Sequence, residues 1–214
     1  MSEAQSISEQ SVARFTEGLA TRDPVPGGGS GAAVAGSIAA ALVAMVVELS
    51  LGRPELAAHE PELRRIGEAA ASWRRSLLDL AERDAAAYAA VIGARRLGRA
   101  TEAKRSARGA AIATATRDAT RVPLETAESA AEVLELAAQV VPLGNPNAVS
   151  DAGVAAHLAA AAVRGALLNV RINLPYLADD DPLRADASMR AEQMSAAAGR
   201  LEEAARVAVE ARIA

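Results

Sequence analysis

Apolar residues recur at intervals of three and four along most of the chain, which is the spacing of one face of an α-helix. Val12 and Phe15 follow this spacing, so we predict a first helix that Ser8 caps. This helix must end before Pro24. A second helix is predicted over residues 30–51. Because it is apolar on every side, it should be the buried central helix of the fold.

A third helix is predicted over residues 61–96, with a proline at its favoured first position. Its inward stripe consists of Leu63, Ile66, Trp73, Leu77, Leu80 and Val91. Asp84 lies seven residues after Leu77 and seven before Val91, so it falls on the same stripe. We therefore expect a carboxylate that faces the interior or a cleft, with Tyr88 one turn further on.

The remaining helices are predicted over residues 101–120, 124–141 and 150–174, and from residue 182 onward. Thr101 is a suitable cap for the first of these, and Pro123 is expected to interrupt the helical path because an interior proline removes a hydrogen bond. No strand and no internal repeat is indicated. We expect one all-α domain over residues 1–214, a multihelical bundle of about seven helices around an Ala-rich central helix.

Composition, charge and cysteine content restrict the function. Hydrophobic residues make up 51% of the chain but aromatic residues only 2%, so the core must consist of Ala, Leu and Val. A net charge of −4 argues against a nucleic-acid partner, and the absence of cysteine excludes thiolate metal sites. His59 and His157 are far apart, so no metal site is expected.

The N-terminus lacks a secretory signal and residues 32–47 are too few to span a bilayer, so we expect a cytoplasmic protein without a membrane partner.

The segment Pro-Val-Pro-Gly-Gly-Gly-Ser at residues 24–30 opens the central helix. Unobstructed backbone N–H groups of Gly27, Gly28, Gly29 and Ser30 would lie at the positive end of the helix dipole, where an anion or a carbonyl oxygen is stabilised. The segment lacks the lysine of a phosphate-binding loop, and a flexible turn is the more common interpretation of such a sequence.

A second segment, Gly-Asn-Pro-Asn-Ala-Val-Ser-Asp-Ala-Gly at residues 144–153, opens another helix and has two interpretations. In one, Ser150 and Asp151 only cap the helix and complement its dipole. In the other, the amides of Asn145 and Asn147 bind the hydrogen-bonding edge of a heterocycle, and Asp151 moves a proton.

Three polar residues within predicted helices are further candidates. Asn169 and Asn173 are four apart and share a face, where they either close a structural network or line a pocket. Asp84 is the best acid–base candidate because burial raises the pKa of a carboxyl group, although a salt bridge to an arginine is the alternative. His157 is more typical of a core or interface histidine than of a ligand.

Six short segments follow one another in a characteristic order: Pro24-Val-Pro-Gly-Gly-Gly-Ser, Ala41-Leu-Val-Ala-Met-Val, Asp84-Ala-Ala-Ala-Tyr88, Val122-Pro-Leu, Gly144-Asn-Pro-Asn-Ala-Val-Ser-Asp-Ala-Gly and Gly165-Ala-Leu-Leu-Asn-Val-Arg-Ile-Asn173. In this order they resemble the cyclodeaminase/cyclohydrolase family over roughly residues 8–180. The resemblance implies an all-α, homodimeric enzyme that acts on the one-carbon unit between N5 and N10 of tetrahydrofolate. It implies a small-molecule folate substrate and no metal or tightly bound cofactor.

Two reactions are implied by the resemblance. A cyclohydrolase adds water to 5,10-methenyltetrahydrofolate and gives 10-formyltetrahydrofolate, whereas a cyclodeaminase closes formiminotetrahydrofolate and expels ammonia. The length of the chain favours the cyclohydrolase. On the matching motif positions, Asp84 and Asp151 would be catalytic. The substrate-binding residues would be Gly27, Gly28, Gly29, Ser30, Asn145, Asn147, Ser150, Asn169 and Asn173.

One departure from the family pattern leaves a third interpretation open. Many relatives carry a basic Gly-Lys-Lys-Lys-Tyr run after the second helix, whereas this chain has Gly-Arg-Pro-Glu-Leu at residues 52–56. Since that run would suit the glutamate tail of a folate, its loss is compatible with a non-catalytic helical binding or assembly module.

Overall fold

The computed structural model describes residues 6–213 and contains six α-helices. They are α1 Val12–Leu19, α2 Gly28–Glu48, α3 Glu60–Arg96, α4 Glu102–Leu143, α5 Val149–Asn173 and α6 Pro182–Ile213. Short 3₁₀-helices occupy Ile7–Glu9, Pro54–His59, Pro146–Ala148 and Leu174–Tyr176. No strand occurs between residues 6 and 213, so the predicted all-α class is confirmed.

The central helix is α2, which packs between α3 and α5 and against α4. Helix α6 covers α5 and α4. Small residues permit these close contacts: a Cβ atom built on Gly36 would lie 3.2 Å from Leu77 on α3 and 3.5 Å from Ala162 on α5. The side chains of Val43, Leu77 and Leu167 are fully buried where these helices meet. The predicted Ala-rich central helix is therefore confirmed, but it is not buried on every side, since Ile38 and Met45 are exposed.

Helix α4 continues through Pro123, so the predicted interruption is wrong and the seven expected helices become six. Proline has no N–H group to donate to the carbonyl four residues earlier, which here is that of Ala119. The side-chain amide of Asn173 replaces that donor, with Nδ2 2.7 Å from the Ala119 oxygen. The hydrogen bond lost at the interior proline is thus replaced by one from α5. Because Asn173 is distant in the sequence, residues near Pro123 gave no sign of this contact.

The start of the first helix also differs from the prediction. Ser11 caps α1, with its Oγ accepting a hydrogen bond from the backbone N–H of Arg14, and Ser8 lies in the preceding 3₁₀ turn. That turn is attached to α3, because the N–H of Ser8 donates to the carboxylate of Glu82. The misplaced cap follows from two serines three residues apart, either of which satisfies the local rule.

Two helical segments, Gly28–Glu48 and Pro146–Tyr176, are long and apolar enough to cross a membrane by length and composition alone. Core helices of soluble proteins pass the same test. Here 56% of the apolar window of the first segment and 50% of that of the second are buried within the bundle. The remaining residues of each window are partly or fully exposed.

Candidate active site

A cleft of about 290 Å³ lies where the N-terminus of α2 meets the C-terminus of α5. It is lined by Pro24, Val25, Gly27, Gly28, Gly29, Asp84, Tyr88, Ala119, Asn169, Ile172 and Asn173. The cleft thus brings together the glycine-rich start of α2, the carboxylate of α3 and the two asparagines of α5. Ile172 and Ala119 were missed by sequence reasoning, since an isoleucine and an alanine within helices carry no functional signal.

A larger groove of about 780 Å³ lies between α3 and α4. Two of its carboxylates pair with the same arginine: Glu125 lies 2.6 Å from the guanidinium of Arg83, which also lies 3.8 Å from Asp79. Such ion pairs are typical of a solvated, charged protein surface. Although this groove is larger than the cleft, the cleft is therefore the better candidate for an active site.

Asp84 is held against the backbone of α2. A Cβ atom built on Gly29 would lie 2.1 Å from Asp84 Oδ1, a distance that no side chain can occupy. The Oγ atom of Ser30 lies 3.0 Å from Asp84 Oδ2 and 2.9 Å from the carbonyl oxygen of Ala81. Gly29 therefore leaves room for the carboxyl group of Asp84, and the hydroxyl group of Ser30 holds that carboxyl group in place.

The surroundings of Asp84 shift its pKa upward. Burial raises the pKa of this carboxyl group, and hydrogen bonds from the side chain and backbone of Ser30 only partly oppose that shift. The single hydroxyl proton of Ser30 lies near two acceptors, the Asp84 carboxyl group and the carbonyl oxygen of Ala81. When Asp84 is protonated, it can donate to Ser30 Oγ while Ser30 donates to Ala81, so every group is satisfied. The carboxyl group can accordingly take up and release a proton without rearrangement of its neighbours.

The first turn of α2 presents N–H groups to the same cleft. Gly27 is the N-cap residue and provides no side-chain acceptor, while Gly28 and Gly29 form the first turn. A helix of this length carries a partial positive charge at its start, where unpaired N–H groups bind oxygen atoms. The cleft therefore combines a proton-binding carboxyl group with donors for an anionic or carbonyl oxygen.

The opposite wall consists of the two asparagines of α5. Asn169 Nδ2 donates to the carbonyl of Gly165 at 3.0 Å. Asn173 Nδ2 donates to the carbonyls of Ala119 and Asn169 at 2.7 and 2.9 Å. Within residues 6–213, neither Oδ1 atom has a protein partner. The two side chains are thus fixed through their nitrogen atoms, which leaves their oxygen atoms as acceptors for a ligand.

The glycine-asparagine segment lies at the other end of α2. Asn145 is 4% exposed, its Nδ2 donates to the carbonyl of Leu49, and its backbone N–H donates to Ser50 Oγ at 2.8 Å. Its Oδ1 accepts the backbone N–H of Asn147 at 3.0 Å. The backbone and side-chain nitrogen atoms of Asn145 therefore join the α4–α5 connection to the end of α2, while its Oδ1 closes a local turn within that connection.

The neighbours of Asn145 do not line the cleft within this chain. Asn147 and Ser150 are exposed, and Asp151 is half-buried in the first turn of α5. Ser150 is not the cap, because α5 begins at Val149 without a side-chain cap. Asp151 and Asn169 are eighteen residues apart on α5, which corresponds to about 27 Å. The predicted site residues therefore form two groups. At the cleft, the fold brings together Gly27, Gly28, Gly29, Ser30, Asp84, Asn169 and Asn173. At the opposite end of α2 lie Asn145, Asn147, Ser150 and Asp151.

The histidines lie outside the cleft. His59 is exposed, and the exposed ring of His157 contacts Glu202 at 2.9 Å, so His157 is a surface residue rather than a core one. Between residues 6 and 213, no three Asp, Glu or His side chains are grouped so that they could hold a metal ion.

The sequence matches the profile of a family described as Formiminotransferase-cyclodeaminase over residues 11–208. It is 39% identical to the Methenyltetrahydrofolate cyclohydrolase of Methylorubrum extorquens over 91% of this chain and 93% of that protein. It is 34% identical to the Formimidoyltransferase-cyclodeaminase of Rattus norvegicus over 82% of this chain, but it spans only 32% of that longer protein. The solved structure of a formiminotetrahydrofolate cyclodeaminase from Thermotoga maritima superposes with a TM-score of 0.86 at 27% identity, covering 97% of this chain and 100% of that one.

Proposed function

The chain belongs to the Formiminotransferase-cyclodeaminase family, and we propose that it is a folate one-carbon enzyme that hydrolyses 5,10-methenyltetrahydrofolate to 10-formyltetrahydrofolate. The observation that carries this proposal is the half-buried carboxyl group of Asp84, held beside the N–H groups of a glycine-rich helix start. The reaction needs one group that takes and returns a proton and donors that orient a flat polar ring. The cleft supplies both.

The chemistry begins with a cation in which one carbon bridges N5 and N10. Water adds to that carbon and loses a proton, which gives a neutral tetrahedral intermediate. The bond from the carbon to N5 then breaks as N5 gains a proton and the new hydroxyl group loses its own, so that the carbon remains on N10 as a formyl group. The net reaction consumes one water and releases one proton.

Asp84 would serve both proton transfers. Burial raises the pKa of Asp84 in the free protein, whereas a bound cation would lower it by charge attraction. The Asp84 carboxylate would take a proton from the attacking water and return it to N5. Ser30 would hold the carboxyl group in place during both transfers.

The other cleft residues would bind the folate. Gly27, Gly28 and Gly29 would receive a carbonyl or carboxylate oxygen on their N–H groups. The free amide oxygens of Asn169 and Asn173 would accept N–H groups of the pterin ring, with Tyr88 beside them. A ligand role for Asn147, Ser150 and Asp151 requires a second chain, whereas the hydrogen bonds of Asn145 support a structural role.

We also propose that this helical domain acts as a homodimer in the cytoplasm. Its substrate would be a small folate molecule, with no nucleic-acid or membrane partner. The steps above use only side chains of the protein and water, and so call for no metal or tightly bound cofactor.

The cyclodeaminase reaction is the second candidate. It is favoured by the overall similarity to the cyclodeaminase from Thermotoga maritima. The same carboxyl group would serve it, because closure of N10 onto a formimino carbon also passes through a tetrahedral carbon between two nitrogens. In that case the proton would go to the departing ammonia.

The two reactions are distinguished by the absorbance band of 5,10-methenyltetrahydrofolate. Purified protein is supplied either with that compound or with 5-formiminotetrahydrofolate, and spontaneous ring opening is subtracted. We expect accelerated loss of the band from the first substrate. Appearance of the band from the second would establish the cyclodeaminase instead. No change with either would overturn both reactions and favour a non-catalytic binding or assembly module.

A further inference from the structure

Both tyrosines of the chain are exposed at or beside the cleft. The chain has only four aromatic residues, of which Phe15 is buried and Trp73 is half-buried in the bundle. Tyr88, which lines the cleft, is 47% exposed, and Tyr176 is 61% exposed. Tyr176 lies three residues after Asn173, another residue of the cleft wall. Aromatic side chains that remain in contact with water beside a cleft are typical of a surface that a flat ligand covers.

An arginine connects the two tyrosines. Arg95 lies seven residues after Tyr88 on α3, so the two side chains share a face and their Cα atoms are about 10 Å apart. The guanidinium carbon of Arg95 lies 5.5 Å from the centre of the Tyr176 ring, which is a cation–π contact between α3 and the turn after α5. Tyr88, Tyr176 and Arg95 thus continue the cleft outward, and we call them the tyrosine–arginine strip.

No carboxylate neutralises the positive charge of this strip. Within residues 6–213, Arg95 forms no ion pair. A second guanidinium, that of Arg108 on α4, donates to the backbone carbonyl of Arg95 through Nε and Nη2, each at 3.3 Å, and it also lacks an ion pair among these residues. Residues 95–108 contain six of the 23 lysines and arginines of a chain whose net charge is −4, and only one acidic residue. This local excess of cations favours an anionic ligand.

We propose that the tyrosine–arginine strip binds the p-aminobenzoylglutamate half of the folate. The rings of Tyr88 and Tyr176 contact the benzoyl ring, since aromatic rings stack offset or edge to face. The planar guanidinium of Arg95 donates two parallel hydrogen bonds to a glutamate carboxylate, with Arg108 beside it. This inference rests on the proposed function, because it assigns the other half of the same substrate.

The dimensions of the substrate fit this assignment. By ordinary bond lengths, a p-aminobenzoyl group and its amide bond place the first glutamate carboxylate about 10 Å from the carbon that joins N5 and N10. Arg95 lies eleven residues beyond Asp84, or about 16 Å along α3. Because side chains on a helix lean toward its N-terminus, the guanidinium of Arg95 extends back toward Asp84 and shortens that distance. A carboxylate can therefore meet Arg95 while the reacting carbon lies beside Asp84.

Removal of the glutamate from the ligand tests the strip. Tetrahydropteroate has the pterin and the p-aminobenzoate of tetrahydrofolate but no glutamate. Calorimetric titration gives the dissociation constants of both compounds, whether or not the protein turns folate over. A charge-assisted pair of hydrogen bonds corresponds to about tenfold in affinity, so wild-type protein should bind tetrahydrofolate about tenfold more tightly than tetrahydropteroate. This preference should decrease as the salt concentration increases.

Arg95→Gln should reduce this preference to less than about twofold, because it removes the charged donor. Arg96→Gln is the matched control: it removes the same charge from the next residue, which points about 100° around α3 and is not part of the strip. The control should keep the wild-type preference. Equal binding of the two compounds to wild-type protein, or an equal loss in both variants, would overturn the proposal.

Two substitutions of Tyr176 test the ring contact. Tyr176→Leu should weaken the binding of both compounds by about two- to tenfold, because both carry the benzoyl ring, and Tyr176→Phe should restore it. Unchanged affinity of Tyr176→Leu for both compounds would overturn the assignment of the benzoyl ring to the strip.

Turnover separates this inference from the proposed function. If wild-type protein leaves 5,10-methenyltetrahydrofolate unchanged but shows the preference that depends on Arg95, the proposed function fails and the strip stands as a folate-binding site. If the protein hydrolyses that substrate but binds tetrahydrofolate and tetrahydropteroate equally, the proposed function stands and the strip is overturned.

Discussion

The two helix starts that attract attention in the sequence have opposite structural roles. At the start of α2, glycines admit a half-buried carboxyl group and leave N–H groups facing a cleft. Before the start of α5, both nitrogen atoms of Asn145 donate to the end of α2, and its Oδ1 accepts from Asn147. Both segments combine glycine with capping residues, so their composition does not separate them. What separates them is the group that faces each one, Asp84 in the first case and Ser50 in the second.

The largest expected effect is at Asp84. Asp84→Asn keeps the shape of the side chain but cannot exchange a proton, so we expect turnover of 5,10-methenyltetrahydrofolate to fall by about 10²–10⁴-fold. The matched control is Asp79→Asn, an exposed carboxylate on the same helix, which should leave turnover unchanged. A normally folded Asp84→Asn protein with full turnover would remove Asp84 from the mechanism.

Of these two helix starts, the sequence predicts the surroundings of the first better than those of the second. The stripe that contains Leu77, Asp84 and Val91 depends only on helical spacing, so the inward direction of Asp84 could be predicted from the chain alone. The role of Asn145 could not, because its partners, Leu49 and Ser50, are about 95 residues away in the sequence.

The same limit explains the error at Pro123. Local rules correctly state that this proline costs α4 a hydrogen bond, but the replacement donor is Asn173, fifty residues later. Likewise, Ile172 enters the cleft only because α5 ends beside α2. Helical stripes were therefore predictable, whereas contacts between distant helix ends were not.

At the first helix start, Gly29→Ala should displace the Asp84 carboxyl group. The added Cβ atom would lie 2.1 Å from Asp84 Oδ1, so we expect a loss of about 1–3 kcal/mol in the free energy of unfolding and at least tenfold lower turnover. Gly93→Ala is the control, since a Cβ atom there meets nothing within 4 Å on exposed α3. That variant should gain about 0.5–1 kcal/mol and keep its turnover. Equal behaviour of the two variants would argue against a close contact at Gly29.

At the second helix start, Asn145→Ala should act on stability rather than on chemistry. It removes two side-chain hydrogen bonds at a buried position and leaves the carbonyl of Leu49 without that donor, so a loss of about 1–3 kcal/mol is expected in urea unfolding. Asn147→Ala changes an exposed side chain and should shift stability by less than about 0.5 kcal/mol. If Asn145→Ala instead kept wild-type stability and lost folate affinity, the segment would be a binding loop.

The smallest effect is the pH dependence of stability that Asp84 contributes. Because burial raises its pKa in the folded protein above the ordinary value of 3.8, the native state binds more protons than the unfolded state between those two values. Stability from this group is therefore present below pH 3.8, declines as the pH rises towards the raised pKa, and is constant above it. Asp84→Asn should remove this decline, so the variant should gain stability relative to wild type as the pH increases through that window. Urea unfolding of both proteins across a pH series measures the difference. A difference that stays constant with pH would mean that Asp84 has the same proton affinity in both states, and the first helix start would then differ from the second in shape but not in its capacity to hold a proton.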